Sequence, residues 1–287
     1  MDLSDEHISL LKKTQTVQSP SISSLSYIHS GISLAYTETN YLNIHCAISN
    51  INTEKINIPD IKKTVFLFDN MVLYSNKDSV KYFSYPDKQI LRSFQIDKPK
   101  DIQAKLIDDT FMVLNNDSLQ FYDLRCKNTF YNLNVKNCLA TINNESFSIL
   151  LNNTVLKIYD FNKISPRITK KFTTPISHLK LTNDNRYLII ITNKSVNLLE
   201  TQTGETVHRF FIDNIRDFDI SEDSQYIFFL LKQKVSIFSI KDKKLLNNII
   251  LTNDQNQLAV NPSFSQFITA GPDFTFFSVD KQALNEQ

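Results

Sequence analysis

Histidines and cysteines are the side chains of this sequence that could bind a metal ion or act as nucleophiles. The five histidines and three cysteines are His7, His29, His45, His178 and His208, and Cys46, Cys126 and Cys138. None stands in a His-x-His, His-Glu-x-x-His or Cys-x-x-Cys arrangement, the spacings that bring two metal ligands together. We therefore predict no catalytic residue, no metal site and no cofactor. Three widely spaced cysteines also fit a reducing compartment better than a disulfide framework.

Carboxylate pairs and glycine-rich loops are the other features that could support catalysis. Acidic pairs occur at Asp108–Asp109 and Glu222–Asp223, but adjacent side chains point apart, so we interpret both pairs as solvated turn residues. The glycines are Gly31, Gly204 and Gly271. Their spacing rules out the glycine-rich loops that cradle phosphates. The sequence therefore predicts a protein that is not an enzyme.

The overall charge balance narrows the classes of partner. The 287 residues include 31 Lys and Arg against 30 Asp and Glu, which gives a net charge of +1. A chain this close to neutral is not expected to coat nucleic acid or anionic lipid through its total field. The first residues are acidic and polar, without the basic and then apolar pattern of a secretory signal. We expect a cytosolic or nuclear protein with no direct membrane contact and no sequence-specific nucleic-acid binding.

A repeat of about forty residues organises the whole chain. Seven short apolar runs share a β-strand pattern and end at a small or acidic residue, at positions 46, 84, 123, 160, 200, 239 and 278. Between these runs, Asn-rich pairs at 115–116, 143–144 and 152–153 and the pair Asn193-Lys194 mark tight turns, because Asn tolerates positive φ better than most residues. A regular step of this length is typical of repeat architectures.

One repeat shows the internal pattern most clearly. Strand-like segments at 177–181, 187–192, 195–200 and 206–211 alternate with Asn- and Gly-containing turns. Four short strands in about forty residues match one propeller blade. We predict an all-β, seven-bladed β-propeller of degenerate WD-repeat type, forming a single domain over 1–287. Within 1–21, the segment Leu10–Val17 is expected to supply the outer strand of the last blade and close the ring.

Aromatic and basic residues complete this prediction. The 21 Phe and 11 Tyr, Phe228 and Phe276 among them, are expected to fill the blades. Basic residues fall in the turns between second and third strands and in the connections between blades, where propeller partners commonly dock. They are Lys77, Lys98, Lys100, Lys136, Lys194, Arg216 and Lys232. Such cations can hold an acidic or phosphorylated peptide, although lysines also occur in the other turns and charged surface loops are the ordinary case.

Several motifs resemble a particular family. The segment Leu73–Tyr82, followed by Pro86–Lys88 and Arg92–Phe94, is similar to the second blade of the Swd-type WD-repeat subunit of COMPASS, the histone H3 lysine methyltransferase complex. Tyr122–Arg125 resembles the end of the third blade of that family, and Leu179–Asp184 the start of its fifth. The order and spacing match over nearly the full length. The fourth blade departs, since the family's Asp-Leu-Arg reads Asp-Phe-Asn at 160–162.

The resemblance implies a nuclear, non-catalytic adaptor. Members of this family bind the N-terminal region of the methyltransferase subunit in COMPASS. They also serve in the cleavage and polyadenylation factor during transcription termination, and link these assemblies to the phosphorylated C-terminal repeats of RNA polymerase II. A rival interpretation is a substrate receptor of a cullin-type ubiquitin ligase, suggested by Asp123-Leu124-Arg125, in which Arg125 would contact a ligase adaptor. A propeller enzyme is a third possibility, against which the lack of a ligand cluster weighs.

Overall fold

The computed structural model describes residues 3–18, 22–49, 51–68, 70–105 and 109–279, which form one short helix and 28 strands. Helix α1, Asp5–Ser9, begins after Ser4, whose side chain accepts a hydrogen bond from the His7 amide at 3.2 Å. This is an N-cap interaction. Strand β1 follows at Leu11–Gln18.

The next strands form the first three blades, each a four-stranded antiparallel sheet. Blade 1 contains β2 (Ile22–Tyr27), β3 (Ser33–Glu38), β4 (Tyr41–Cys46) and β5 (Ile51–Asn57). Blade 2 contains β6 (Lys63–Phe68), β7 (Met71–Ser75), β8 (Ser79–Ser84) and β9 (Gln89–Gln95). Blade 3 contains β10 (Asp101–Ala104), β11 (Thr110–Leu114), β12 (Ser118–Asp123) and β13 (Thr129–Asn134).

Four further sheets follow the same pattern. Blade 4 contains β14 (Cys138–Ile142), β15 (Ser146–Leu151), β16 (Val155–Asp160) and β17 (Ile168–Lys171). Blade 5 contains β18 (Ile176–Leu181), β19 (Tyr187–Thr192), β20 (Val196–Glu200) and β21 (Thr206–Phe210). Blade 6 contains β22 (Asp217–Ile220), β23 (Tyr226–Leu230), β24 (Lys234–Ser239) and β25 (Lys244–Ile250). Blade 7 contains β26 (Gln257–Val260), β27 (Gln266–Ala270) and β28 (Asp273–Val279), together with β1.

The strand order confirms the predicted fold class, a seven-bladed β-propeller with four-stranded blades. All seven runs of the sequence repeat are the third strand of a blade. These strands are central in their sheets and pair on both edges, so their apolar residues are largely buried. The repeat is visible in the sequence because each third strand combines a largely buried centre with a small or acidic residue at or near its end.

The N-terminal strand completes blade 7, as predicted. Strand β1 pairs antiparallel with β28 from Leu11 opposite Val279 to Gln18 opposite Asp273. The register shifts between Lys13 and Gln15, where the Thr14 hydroxyl donates to the Phe276 carbonyl at 3.3 Å. This β-bulge accommodates one extra residue without losing the ladder.

The chain divides into two compact units, residues 1–64 with 214–287 and residues 65–213. Unit 1 holds blades 1, 6 and 7, and unit 2 holds blades 3, 4 and 5 with most of blade 2. In each unit the apolar clusters lie between neighbouring blades. Phe228 and Phe276 are both 1% exposed, which confirms their predicted place in the core. The expectation of one cooperative domain stays a prediction.

The asparagine turns form by two different means. Asn152 and Asn153 have positive φ values of 48° and 58°, as expected. Asn115 and Asn143 do not adopt positive φ. Their side-chain carbonyls instead accept hydrogen bonds from the amides two and three residues ahead, at 2.7 to 3.0 Å. The explanation from backbone conformation was therefore wrong for these turns, where asparagine is used as a side-chain acceptor.

Candidate functional site

The antiparallel order of each blade fixes where its loops lie. The turn between the second and third strands is at the same end of the sheet as the connection that leaves the fourth strand. We call this the exit end of a blade, and the end with the other two turns the return end. In unit 2 the exit-end segments are 76–78, 96–100, 115–117, 135–137, 152–154, 172–175 and 193–195.

The predicted basic residues lie in these segments. Five of them belong to unit 2, and all five are exposed: Lys77, Lys98, Lys100, Lys136 and Lys194. Arg216 and Lys232 occupy exit-end connections of unit 1, before β22 and between β23 and β24. The sequence therefore placed each of them in the correct kind of loop. Their role in binding stays a prediction.

Arg216 and Lys136, two of the basic residues in these loops, each lie near a carboxylate of their own chain. Arg216 donates to the Gln255 carbonyl at 2.9 Å and to the Asp254 carboxylate at 3.3 Å, with 28% of its side chain exposed. Lys136 lies 3.8 Å from the Asp117 carboxylate. Arg216 thus ties two connections of unit 1 together, a role that sequence reasoning did not foresee.

Arg125 lies at the return end of blade 3, in the turn between β12 and β13. Its guanidinium donates to both carboxylate oxygens of Asp123, at 2.9 and 2.6 Å, and lies 3.6 Å from Asp109. The hydrogen bond from Arg125 is the largest cause that lowers the pKa of the Asp123 carboxyl. The Asp-x-Arg motif is therefore a local ion pair that holds a turn, although 74% of the arginine side chain remains exposed.

Aspartates accompany the lysines at the exit end of unit 2. Asp78 follows Lys77, Asp97 precedes Lys98, and Asp117 faces Lys136. The first two pairs are visible in the sequence, but the third depends on the fold. This surface therefore carries alternating charges and is not a uniformly basic patch.

A polar cleft opens among these residues in unit 2, with a volume of about 280 Å³. Its walls come from the connection before β10, the turn between β11 and β12, and strand β13. They are Asp97, Lys98, Asn115, Asn116, Asp117, Ser118, Asn132 and Asn134. The Asn115 side chain accepts from the amides of Asp117 and Ser118 at 3.0 and 2.7 Å, which fixes one wall.

The chemistry of this cleft is that of a polar peptide site. An asparagine side chain both donates and accepts, so it can hydrogen-bond to the main chain of a bound segment. Lys98 is the positively charged residue among those that line the cleft. Lys100 is not among the lining residues, and its charge lowers the pKa of the Cys138 thiol. Burial raises the pKa of that thiol more strongly than the charge of Lys100 lowers it.

The described residues contain no group of three or more His, Cys, Asp or Glu side chains placed to hold a metal ion. Cys46, Cys126 and Cys138 are free thiols. No helix within the described ranges is both long and apolar enough to cross a bilayer.

Comparisons with known proteins bear on the fold. No family model matches the chain. No curated protein matches it. Among solved structures, the chain is similar to KlHsv2 with loop 6CD replaced by a Gly-Ser linker, with a TM-score of 0.74 and 14% identity over 88% of this chain and 90% of that one. At this identity the likeness shows the fold alone, a β-propeller, and a fold by itself does not determine a function.

Proposed function

We propose that the chain is a nuclear, non-catalytic adaptor that holds an acidic or phosphorylated peptide at the exit end of unit 2, within a COMPASS-type histone H3 methyltransferase complex. The observation that carries this proposal is Lys98 on the wall of the amide-lined cleft, with other exposed lysines on segments of the same kind. Phosphate and carboxylate oxygens accept charge-assisted hydrogen bonds from lysine, and asparagine amides can align the peptide main chain.

The alternating charges favour a peptide over a continuous polyanion. A nucleic acid carries a closely and regularly spaced negative charge, which would bring some phosphates against Asp78, Asp97 or Asp117. A peptide with phosphates several residues apart can meet the lysines and leave the aspartates to water. The phosphorylated C-terminal repeats of RNA polymerase II have this chemistry, and we propose them as the ligand.

The choice of assembly rests on the resemblance to the Swd-type family. The Ser-Asn-Lys motif of blade 2 has a structural role here, since the Asn76 side chain accepts from the amides of Asp78 and Ser79 at 3.3 and 2.9 Å. A turn of this kind suits any propeller blade. The partner assignment therefore needs its own experiment, separate from peptide binding.

Peptide binding is tested by fluorescence anisotropy with a labelled polymerase-tail peptide, phosphorylated or not, at low salt. We expect the triple variant Lys77→Glu, Lys98→Glu and Lys194→Glu to bind the phosphorylated peptide at least about tenfold more weakly, because three attractions become repulsions. The matched control reverses the charge of three return-end residues by the same change to Glu, at Lys127, Lys163 and Lys241. Equal affinity of the exit-end variant and the unaltered protein would dismiss this site.

The assembly is tested by affinity purification with mass spectrometry. We expect methyltransferase subunits to co-purify with the protein. If subunits of the cleavage and polyadenylation factor co-purify as well, the protein serves in both assemblies. Recovery of a ligase adaptor and a cullin in their place would contradict the proposal and indicate that the protein is a substrate receptor of a ubiquitin ligase. In that case Arg125→Ala should release the adaptor.

A further inference from the structure

A second cleft lies within unit 1, at the return ends of blades 6 and 7. It has a volume of about 270 Å³. The turn between β22 and β23 forms one side, the turn between β26 and β27 forms the other, and a residue before α1 contributes to the wall. The lining residues are Leu3, Ser221, Glu222, Asp223, Asn261, Pro262 and Phe264. A cleft of this size is smaller than the about 300–1,000 Å³ of typical small-molecule pockets, and suits a single side chain.

The apolar wall of this cleft consists of Leu3, Pro262 and Phe264. The Phe264 side chain is 38% exposed, although most aromatic rings of the protein are buried. Its backbone amide donates to the side-chain carbonyl of Asn261 at 3.0 Å. The aromatic ring is therefore held at the surface by a hydrogen-bonded turn.

The opposite wall is acidic. Glu222 and Asp223 both line the cleft, and Asp223 accepts from the Ser221 hydroxyl at 2.5 Å and the Gln225 amide at 3.0 Å through the same oxygen. The second carboxylate oxygen of Asp223 takes no part in these two bonds.

Further carboxylates lie close to this wall. The Tyr226 hydroxyl donates to Asp5 at 3.0 Å. Burial, the hydrogen bond to Asp5 and the charges of Asp5, Asp223 and Asp242 all raise the pKa of Tyr226. The cationic side chain Lys244 lies 3.7 Å from Asp242. The charges of Asp5 and Asp223 therefore both act beside this wall of the cleft.

We propose that this cleft binds an arginine side chain from a partner peptide, with the guanidinium at Glu222 and Asp223 and its planar face or methylene stem against Phe264. A carboxylate pair opposite an aromatic ring matches a group that forms directional hydrogen bonds and also stacks. A phosphate would be repelled, and an apolar side chain would desolvate the carboxylates without a compensating partner. This docking site is independent of the proposed exit-end site and selects the opposite charge.

The test uses a seven-residue peptide of Gly, Ser and Ala with one central arginine, titrated into methyl-labelled protein and followed by NMR. The Leu3 methyl resonances report from inside the cleft. We expect a saturable shift with the arginine peptide and at least about a fivefold weaker response when citrulline, which is neutral and nearly isosteric, replaces arginine. Equal responses to both peptides would overturn the proposal, and a stronger response to a lysine peptide would overturn the guanidinium assignment.

Matched variants localise the effect. The double variant Glu222→Gln and Asp223→Asn removes both charges but keeps the oxygen that Ser221 and Gln225 need, and Phe264→Ala removes the ring. Both should weaken arginine binding by about fivefold or more. Asp184→Asn is the control, because Asp184 accepts from Thr182 and the Arg186 amide in the corresponding turn of blade 5. If Asp184→Asn weakened arginine binding as much as the cleft variants do, this would count against the cleft. The exit-end lysine variants should leave arginine binding unchanged.

Discussion

Two junctions between neighbouring blades each depend on one asparagine, which has the same role in both but different surroundings. Asn143, between blades 4 and 5, accepts from two amides of its own turn and donates across to the Thr182 carbonyl at 3.2 Å. Asn261, between blades 7 and 1, accepts from the Ser263 and Phe264 amides and donates across to the Gly31 carbonyl at 2.8 Å. One side chain thus shapes a turn and joins two sheets in each case.

The two junctions differ in what stands across from the asparagine. At the first, Asn185 completes a side-chain network, since its carbonyl accepts from Asn143 and Ser146 and its amide donates to Glu145. At the second, the backbone of Gly31 lies directly against the Asn261 side chain. A Cβ on Gly31 would lie 2.1 Å from the side-chain oxygen Oδ1 of Asn261.

This difference has a functional consequence. Side chains can change rotamer to admit an added atom, whereas a backbone contact without spare room cannot. The glycine junction also supports the arginine cleft, because a Cβ on Gly31 would lie 3.1 Å from the Phe264 ring. The exposed aromatic ring therefore depends on the more exacting of the two junctions.

The largest effect should come from Gly31→Ala. Gly31 has a φ of +71°, so alanine adds left-handed backbone strain to the steric conflict with Asn261. We expect the free energy of unfolding to fall by about 3 kcal/mol or more, measured by chemical denaturation. In an Asn261→Ala background the cost should drop towards the backbone strain, about 1–2 kcal/mol, together with the remaining close contact to the Phe264 ring. The same cost in both backgrounds would show that Asn261 is not the obstacle.

Removing the bridging asparagines should have the next largest effect. Asn143→Ala and Asn261→Ala each break a turn and remove a side-chain hydrogen bond to a carbonyl of the neighbouring blade, so we expect losses of about 2 kcal/mol in denaturant titrations. Asn115→Ala is the control, because the Asn115 hydrogen bonds that the structure shows stay within its own turn. It should cost about 1 kcal/mol. If all three variants cost the same, the cross-blade bonds contribute nothing.

Two buried serines of β15 test the network at the first junction on a smaller scale. The Ser146 hydroxyl donates to Asn185 at 2.6 Å. The Ser148 hydroxyl has no hydrogen-bond partner among the described residues. Ser146→Ala should therefore lower the free energy of unfolding by about 1 kcal/mol, and Ser148→Ala should leave it unchanged or raise it. The reverse order would contradict the network.

The pH dependence of the free energy of unfolding should report on His45, at the junction of blades 7 and 1. His45 is buried, with its ring 5.5 Å from the Phe276 ring, and burial lowers the pKa of its imidazole. The unfolded chain, with an ordinary histidine pKa of about 6.5, then binds the proton first as the pH falls. Stability should therefore decrease as the pH drops through about 6.5. His45→Leu should reduce this slope and leave the part that comes from His178, whose pKa burial also lowers, whereas His29→Gln at an exposed site should preserve the whole slope.

The sequence predicted the strands better than the contacts between blades. The third strands are central in their sheets and largely buried, so runs such as Val196–Glu200 appear in the sequence with nearly their observed bounds. The pairing of Lys136 with Asp117 and the anchoring of Arg216 to Gln255 join segments 19 and 39 residues apart, and no local pattern encodes them. Glu222 and Asp223 were correctly placed in a turn, but only the neighbouring blade shows that they face an aromatic ring.

The pairing of β1 with β28 has a consequence for how the protein is made. The Thr14 hydroxyl and the Phe276 carbonyl are 262 positions apart. At about 5–20 residues per second, a ribosome needs roughly 10 to 50 seconds to bridge that interval. Throughout that time β1 has no partner strand to pair with, so the cellular yield should depend on a chaperone that shields β1 until β28 emerges.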